Sequence, residues 1–170
     1  MDHPPFYHSN QDLLRGIIGL SVKSAVMEQY FYQGKLDEES LGTLKLAFTT
    51  GQEIRFDCHG DAESLLIQSG GFSDKGSFET DEEPRDFEWE LKPFWDELQI
   101  SQLGTVIGCA IEWLSYPHGM IQSGCKIAFE SGDFLYIWSQ ESDALFYRMN
   151  QLPDYHQKDG LSFELIDVTA

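Results

Sequence analysis

The 170 residues carry 29 Asp and Glu against 11 Lys and Arg, a formal net charge of −18 at pH 7, and 14% of them are aromatic. That aromatic content can fill a core and excludes a disordered acidic tail. The charge argues against nucleic acid and anionic membranes as direct ligands, because a polyanion needs basic residues to displace its counterions. The length fits one domain, or two small similar units, able to bury roughly 70% of the surface of its unfolded chain.

At the N-terminus, Met1-Asp2-His3-Pro4-Pro5 has neither a basic leader nor an apolar run. No secretory signal is expected from it, and the cytoplasm is the expected compartment. No stretch approaches the ~20 apolar residues of a membrane span. Cys58, Cys109 and Cys125 are an odd set without CxxC spacing, which predicts neither a disulfide framework nor a zinc site. No cofactor is expected.

Ser9 to Arg15 reads as a short helix capped by Ser9 or Asn10. From there Ile18, Leu20 and Val22 alternate with Gly19, Ser21 and Lys23, the period of a strand. Tyr32 to Glu39 reads as an insertion turning at Gln33-Gly34. Leu44, Leu46 and Phe48 alternate next, and Thr50-Gly51-Gln52 turns into Ile54 and Phe56. Ser69 to Arg85 is a loop rich in Gly, Ser and acids. Phe87 to Leu91 alternates again, and Pro93 to Leu98 suggests a helix with Pro93 in its first turn. Cys109, Ile111 and Trp113 mark another strand, and Ser131-Gly132-Asp133 turns into Leu135 and Ile137. Short strands between frequent turns predict a mainly β protein: an antiparallel meander, sandwich or open barrel with few short helices.

The landmarks recur in the same order along the two halves. Pro5-Phe6-Tyr7 is echoed by Pro93-Phe94-Trp95, Gly16 by Gly104, and Lys45 to Gly51 by Lys126 to Gly132. Two tandem similar units follow. Residues 1–91 form the first, with an acidic loop at 69–86, and residues 92–170 the second, in one compact domain. Its predicted core includes Ile18, Leu20, Val22, Leu46, Phe48, Ile54, Phe56, Ile111, Trp113, Ile127, Phe129, Leu135 and Ile137.

Asp57-Cys58-His59-Gly60-Asp61 is the most suggestive cluster for catalysis, a thiol beside an imidazole and two carboxylates. Neighbours along a strand point to opposite faces, however, so Cys58 reads as a core residue and His59 as the start of a turn. His118, in the turn Tyr116-Pro117-His118-Gly119, has no second ligand at metal spacing. A small hydrolase or transferase using His59 or His118 with nearby carboxylates is the alternative reading, and a structural or regulatory module is the third.

The acid run is larger in scale. Glu79 to Glu97 holds nine acids against Arg85 and Lys92, interleaved with aromatics. The plain reading is a solvated loop. The functional one is a face for a basic protein, with Glu82, Glu83, Asp86 and Glu88 steering the encounter and Trp95 as an aromatic anchor. Phe134, Tyr136 and Trp138 oppose Leu135 and Ile137, a strand apolar on both faces. It is expected to pack between or beneath the units of a monomer or weak dimer.

The stretch from Trp113 to Gly119, with Ile127, Phe129 and Ser131-Gly132, resembles small uncharacterised acidic bacterial β proteins of the toxin-immunity type. That resemblance implies an inhibitor or immunity protein. With the charge, it makes a non-enzymatic acidic binding protein the expected function.

Overall fold

A computed structural model of the chain describes residues 5–59, 63–70, 87–117, 119–140, 144–157 and 160–169. The first half runs α1 (Pro5–Ile17), β1 (Val22–Tyr32), β2 (Lys35–Phe48), β3 (Glu53–Cys58), β4 (Leu65–Ser69) and β5 (Phe87–Pro93). The second runs α2 (Glu97–Leu103), β6 (Val106–Tyr116), β7 (Gly119–Phe129), β8 (Phe134–Gln140), β9 (Ala144–Met149), a 3₁₀ turn (Asp154–Gln157) and β10 (Ser162–Val168). Neighbours pair as β5-β1-β2-β3-β4 in one half and β10-β6-β7-β8-β9 in the other, every pair antiparallel. Contacts between Leu41 and Leu145, on β2 and β9, join the halves into one open sheet rather than a closed barrel. A bridge between Ser21 and Thr105 adds a second link.

Connectivity is matched by register. Leu46 faces Ile54 as Ile127 faces Leu135, and Met27 faces Leu44 as Ile111 faces Cys125. Each register slips just beyond that point, after Met27 in β1 and after Glu112 in β6, and β1 slips again after Gln29. The β2–β3 and β7–β8 turns close on Gly51 and Gly132, at φ of 90° and 95°, where a β-carbon would be strained.

The same pairing corrects part of the predicted alignment. The amides of Thr49 and Glu130 donate to the carbonyls of Ser21 and Thr105, so Ser21 corresponds to Thr105 and Gly104 has no counterpart in Gly16. A further correction concerns Ile18 and Leu20. The helix runs on through Gly16 to Ile17, and the strand begins only at Val22. Tyr7, Asn10, Leu14 and Ile17 form a buried stripe at helical spacing, which outweighs the local alternation. Ile18 and Leu20 are accordingly only partly buried against the core. Asn10 is not a cap but lies mid-helix, fully buried. Its amide donates to the Leu65 carbonyl and accepts from the Ile67 amide, at 2.8 Å each, and so serves the open edge of β4 as a neighbouring strand would. The second helix starts later than predicted: Asp96 caps it in a reciprocal box with Gln99, and Pro93 ends β5 instead.

One apolar cluster spans both halves, from Leu44, Phe48 and Phe56 to Cys125, Phe129 and Ile137. The remaining predicted core positions, from Val22 to Leu135, are buried in it. Among the described residues no helix is long and apolar enough to cross a membrane.

Candidate functional site

Each half also has an outer face, and the shared register makes the two directly comparable. In the second half, Glu112 on β6 lies in a row with Gly124 and Trp138. At the corresponding position in the first half, one residue past Met27, stands Glu28 on β1, linked through the Thr43 backbone and hydroxyl to Asp57. The next row reads Ala110, Lys126, Tyr136 and Arg148 in one half and Val26, Lys45, Arg55 and Gln68 in the other.

Glu112 is fully buried. Ser123 Oγ donates to its Oε1 at 2.7 Å, and the phenols of Tyr136 and Tyr155 donate to Oε2 and Oε1. His156 Nε2 completes the set on Oε2. The imidazole is held by a parallel stack on Phe163, with centroids 3.8 Å apart. Burial, reinforced by the adjacent carboxylate, pushes both phenols far above the ordinary tyrosine range, so they remain donors. The 3₁₀ turn is thereby fastened over the outer face, and its own Tyr155 packs with Tyr136 and Trp138. A carboxylate with four partners and no solvent access acts as a clamp. It has no site left for a substrate.

Glu28 is only partly buried. It accepts from Tyr30 Oη at 3.1 Å. Burial and the nearby Asp57 charge raise its pKa, against the bonds from Tyr30 and the Thr43 backbone and against the Arg55 charge. Asp57 is raised as well, by burial, although Thr43 and Arg55 oppose the shift. Thr43 Oγ1 donates to Asp57, and Arg55 Nε lies 3.4 Å from its carboxylate while also donating to Gln68. Tyr30 and Glu28 pair with Trp89 and Leu91 of β5, which are 37% and 49% exposed. Two carboxylates and exposed apolar side chains therefore share the outer face of the first half.

The expected site residues are described only in part. Glu82, Glu83 and Asp86 lie outside the described residues, as do Asp61 and His118. Glu88 is exposed on β5, opposite Phe31. Trp95 is 4% exposed and packs edge-on against Phe129 at 5.7 Å, so as an anchor it serves the core. His59 lies flat against Phe6 at 4.2 Å, Cys58 packs against the core, and Asp57 is engaged by Thr43 and Arg55. Glu28, Glu112, Tyr155 and His156 did not stand out in the sequence. The available signal was a lone acid inside the apolar run from Cys109 to Leu114.

Among the described residues no group of three or more His, Cys, Asp or Glu could hold a metal ion. Clefts of about 200 and 230 Å³ flank Arg148, below the ~300 Å³ at which ligand pockets usually begin. No protein-family model matches the chain, no curated protein resembles it, and no solved structure matches its fold.

Proposed function

We propose that the protein is a non-enzymatic binding protein, an inhibitor or immunity protein for a basic protein partner, acting in the cytoplasm as a monomer or weak dimer. The observation that carries this reading is β5. Among the described residues that strand ends the sheet, and its side chains from Glu88 to Pro93 are exposed on both faces. An edge strand offers a partner unpaired backbone groups as well as side chains. Here it also offers Glu88 and Glu90 on one face and Trp89 and Leu91 on the other, acids for steering and apolar area for the contact itself. The net charge of −18 extends the attraction beyond the contact.

Kinetics against Lys- and Arg-rich proteins from the same genome test the reading. Association is expected to be fast at low salt and to slow steeply as salt is raised toward ~0.15 M, where the screening length is about 8 Å. Replacing Glu82, Glu83, Asp86 and Glu88 by their amides should slow association at low salt by about tenfold or more. A partner set indifferent to that variant counts against this face. An absence of any basic partner overturns the reading.

A further inference from the structure

We propose that the outer face of the first half takes a basic side chain of the partner onto Glu28, in the manner in which Glu112 holds His156. The inference rests on the binding reading above and names the contact within it.

The second half supplies the template. There the glutamate just past Ile111 and its partner Cys125 receives an imidazole and two phenols, delivered by Tyr136 and by the connection after β9. The first half repeats the strands, the register and the glutamate, but the surroundings differ in charge. Arg55 replaces Tyr136 and Asp57 replaces Trp138 at corresponding positions. Aromatic cover has given way to a second carboxylate.

One cation of the chain already acts on Glu28, since the Arg55 charge favours its ionised form, but the Arg55 guanidinium is in contact with other groups. Lys45 Nζ lies 3.4 Å from Glu53, and Arg55 divides its donors between Asp57 and Gln68. Among the described residues, the hydrogen bonds to Glu28 come from Tyr30 Oη and the Thr43 backbone. An incoming guanidinium or ammonium would bring charge-assisted donors to a carboxylate that burial and Asp57 both disfavour in its ionised form. Trp89 and Leu91 stand across from Tyr30 and Glu28 on the same face. They can cover the methylene stem of a Lys or Arg, and the indole adds an attraction for the cation.

The test uses the full chain and two blocked peptides, one carrying arginine and the other citrulline, which keeps the shape and removes the charge. Amide and indole NMR signals are followed during titration. The arginine peptide should shift Glu28, Tyr30 and the Trp89 indole, and the citrulline peptide should bind about tenfold more weakly or worse. Glu28→Gln should weaken the arginine peptide by about tenfold while its melting temperature stays within about 2 °C of the parent. Trp89→Ala should weaken it too. Shifts confined to other residues, or unchanged binding by both variants, overturn the proposal. A fall in melting temperature in Glu28→Gln without a change in peptide binding assigns that carboxylate to the chain's own stability and also overturns it. A basic protein that still binds Glu28→Gln tightly but loses affinity when Glu88 is neutralised removes this contact and leaves the binding reading standing. If no basic protein or peptide binds at low salt, both fall.

Discussion

Glu28 and Glu112 occupy the same position in the two halves, one residue past the pairs Met27–Leu44 and Ile111–Cys125. Their environments nevertheless assign them opposite energetic roles. Glu112 is buried among four hydrogen-bonding partners, and Glu28 is half-buried beside another acid. An ion removed from water is tolerated only where its lone pairs are answered, and only Glu112 meets that condition in full.

Neutralising Glu112 should therefore be costly. Glu112→Gln loses the charge that strengthens four hydrogen bonds and turns two acceptor positions into donors facing donors. Destabilisation of about 3–5 kcal/mol is expected, and of about 1.5–3 kcal/mol for Tyr155→Phe, which removes one bond to the charge. Urea midpoints at neutral pH measure both. Equal stability of Glu112→Gln and the parent would show that the four bonds to this carboxylate do not hold the 3₁₀ turn in place.

The opposite sign is expected at Glu28. Its folded pKa and that of Asp57 lie above their ordinary values, chiefly through burial. For an acid shifted upward, the folded state holds its proton more tightly than the unfolded state. Stability from such a group is greatest below the unfolded pKa and falls as pH rises through the folded one. Glu28→Gln should therefore be at least as stable as the parent at pH 7, with the difference closing towards pH 4. A difference that widens as the solution is acidified would contradict this assignment.

Gly42 has no room for a side chain. A β-carbon there would lie 2.6 Å from Glu28 Cβ and 2.9 Å from the Glu28 carbonyl oxygen. Gly42→Ala must push β1 and β2 apart, at a cost of roughly 1–3 kcal/mol. Because the displaced residue is Glu28, the Glu28 and Tyr30 amide signals should move further than those of β7.

The reciprocal cap on α2 gives a smaller and more local effect. Asp96 accepts from the Gln99 amide at 2.8 Å, and Gln99 returns the contact at 3.0 Å. Asp96→Ala should cost about 1 kcal/mol, or about 2–4 °C in melting temperature for a chain of this size. Hydrogen exchange should increase at Gln99 and Ile100 first.

The strand alternation was legible because the inner face is uniformly apolar. Leu44, Leu46, Ile54 and Phe56 declare it on one side, and Cys109, Ile111 and Trp113 on the other. What covers the outer face was not legible. A period of two says which way Glu112 points, but its partners Tyr155 and His156 come from 43 and 44 residues further on. The long first helix was hidden for a related reason. Gly16 lowers helical propensity locally, and only the tertiary contacts of Leu14 and Ile17 restore it. Of the candidate contact residues, Glu88 is exposed, but the faces of its strand are the reverse of those the alternation suggested: Trp89 and Leu91 share the outer face with Tyr30 and Glu28, and Glu88 stands on the face of Phe31 and Met27. Trp95 is drawn inward because an indole beside Phe94 and Phe129 gains more from burial than from solvent.

The apolar cluster that crosses between the halves makes unfolding a shared event. Phe48 and Phe129, or Ile54 and Leu135, lose their surroundings together, since each half is the oil in which the other half dissolves. Severing the chain near Lys92 would leave two fragments, each with a bare apolar sheet face and an open strand edge at Leu41 or Leu145. Such fragments regain structure only by finding one another, so restoration of the whole depends on their concentration, as in the assembly of a dimer.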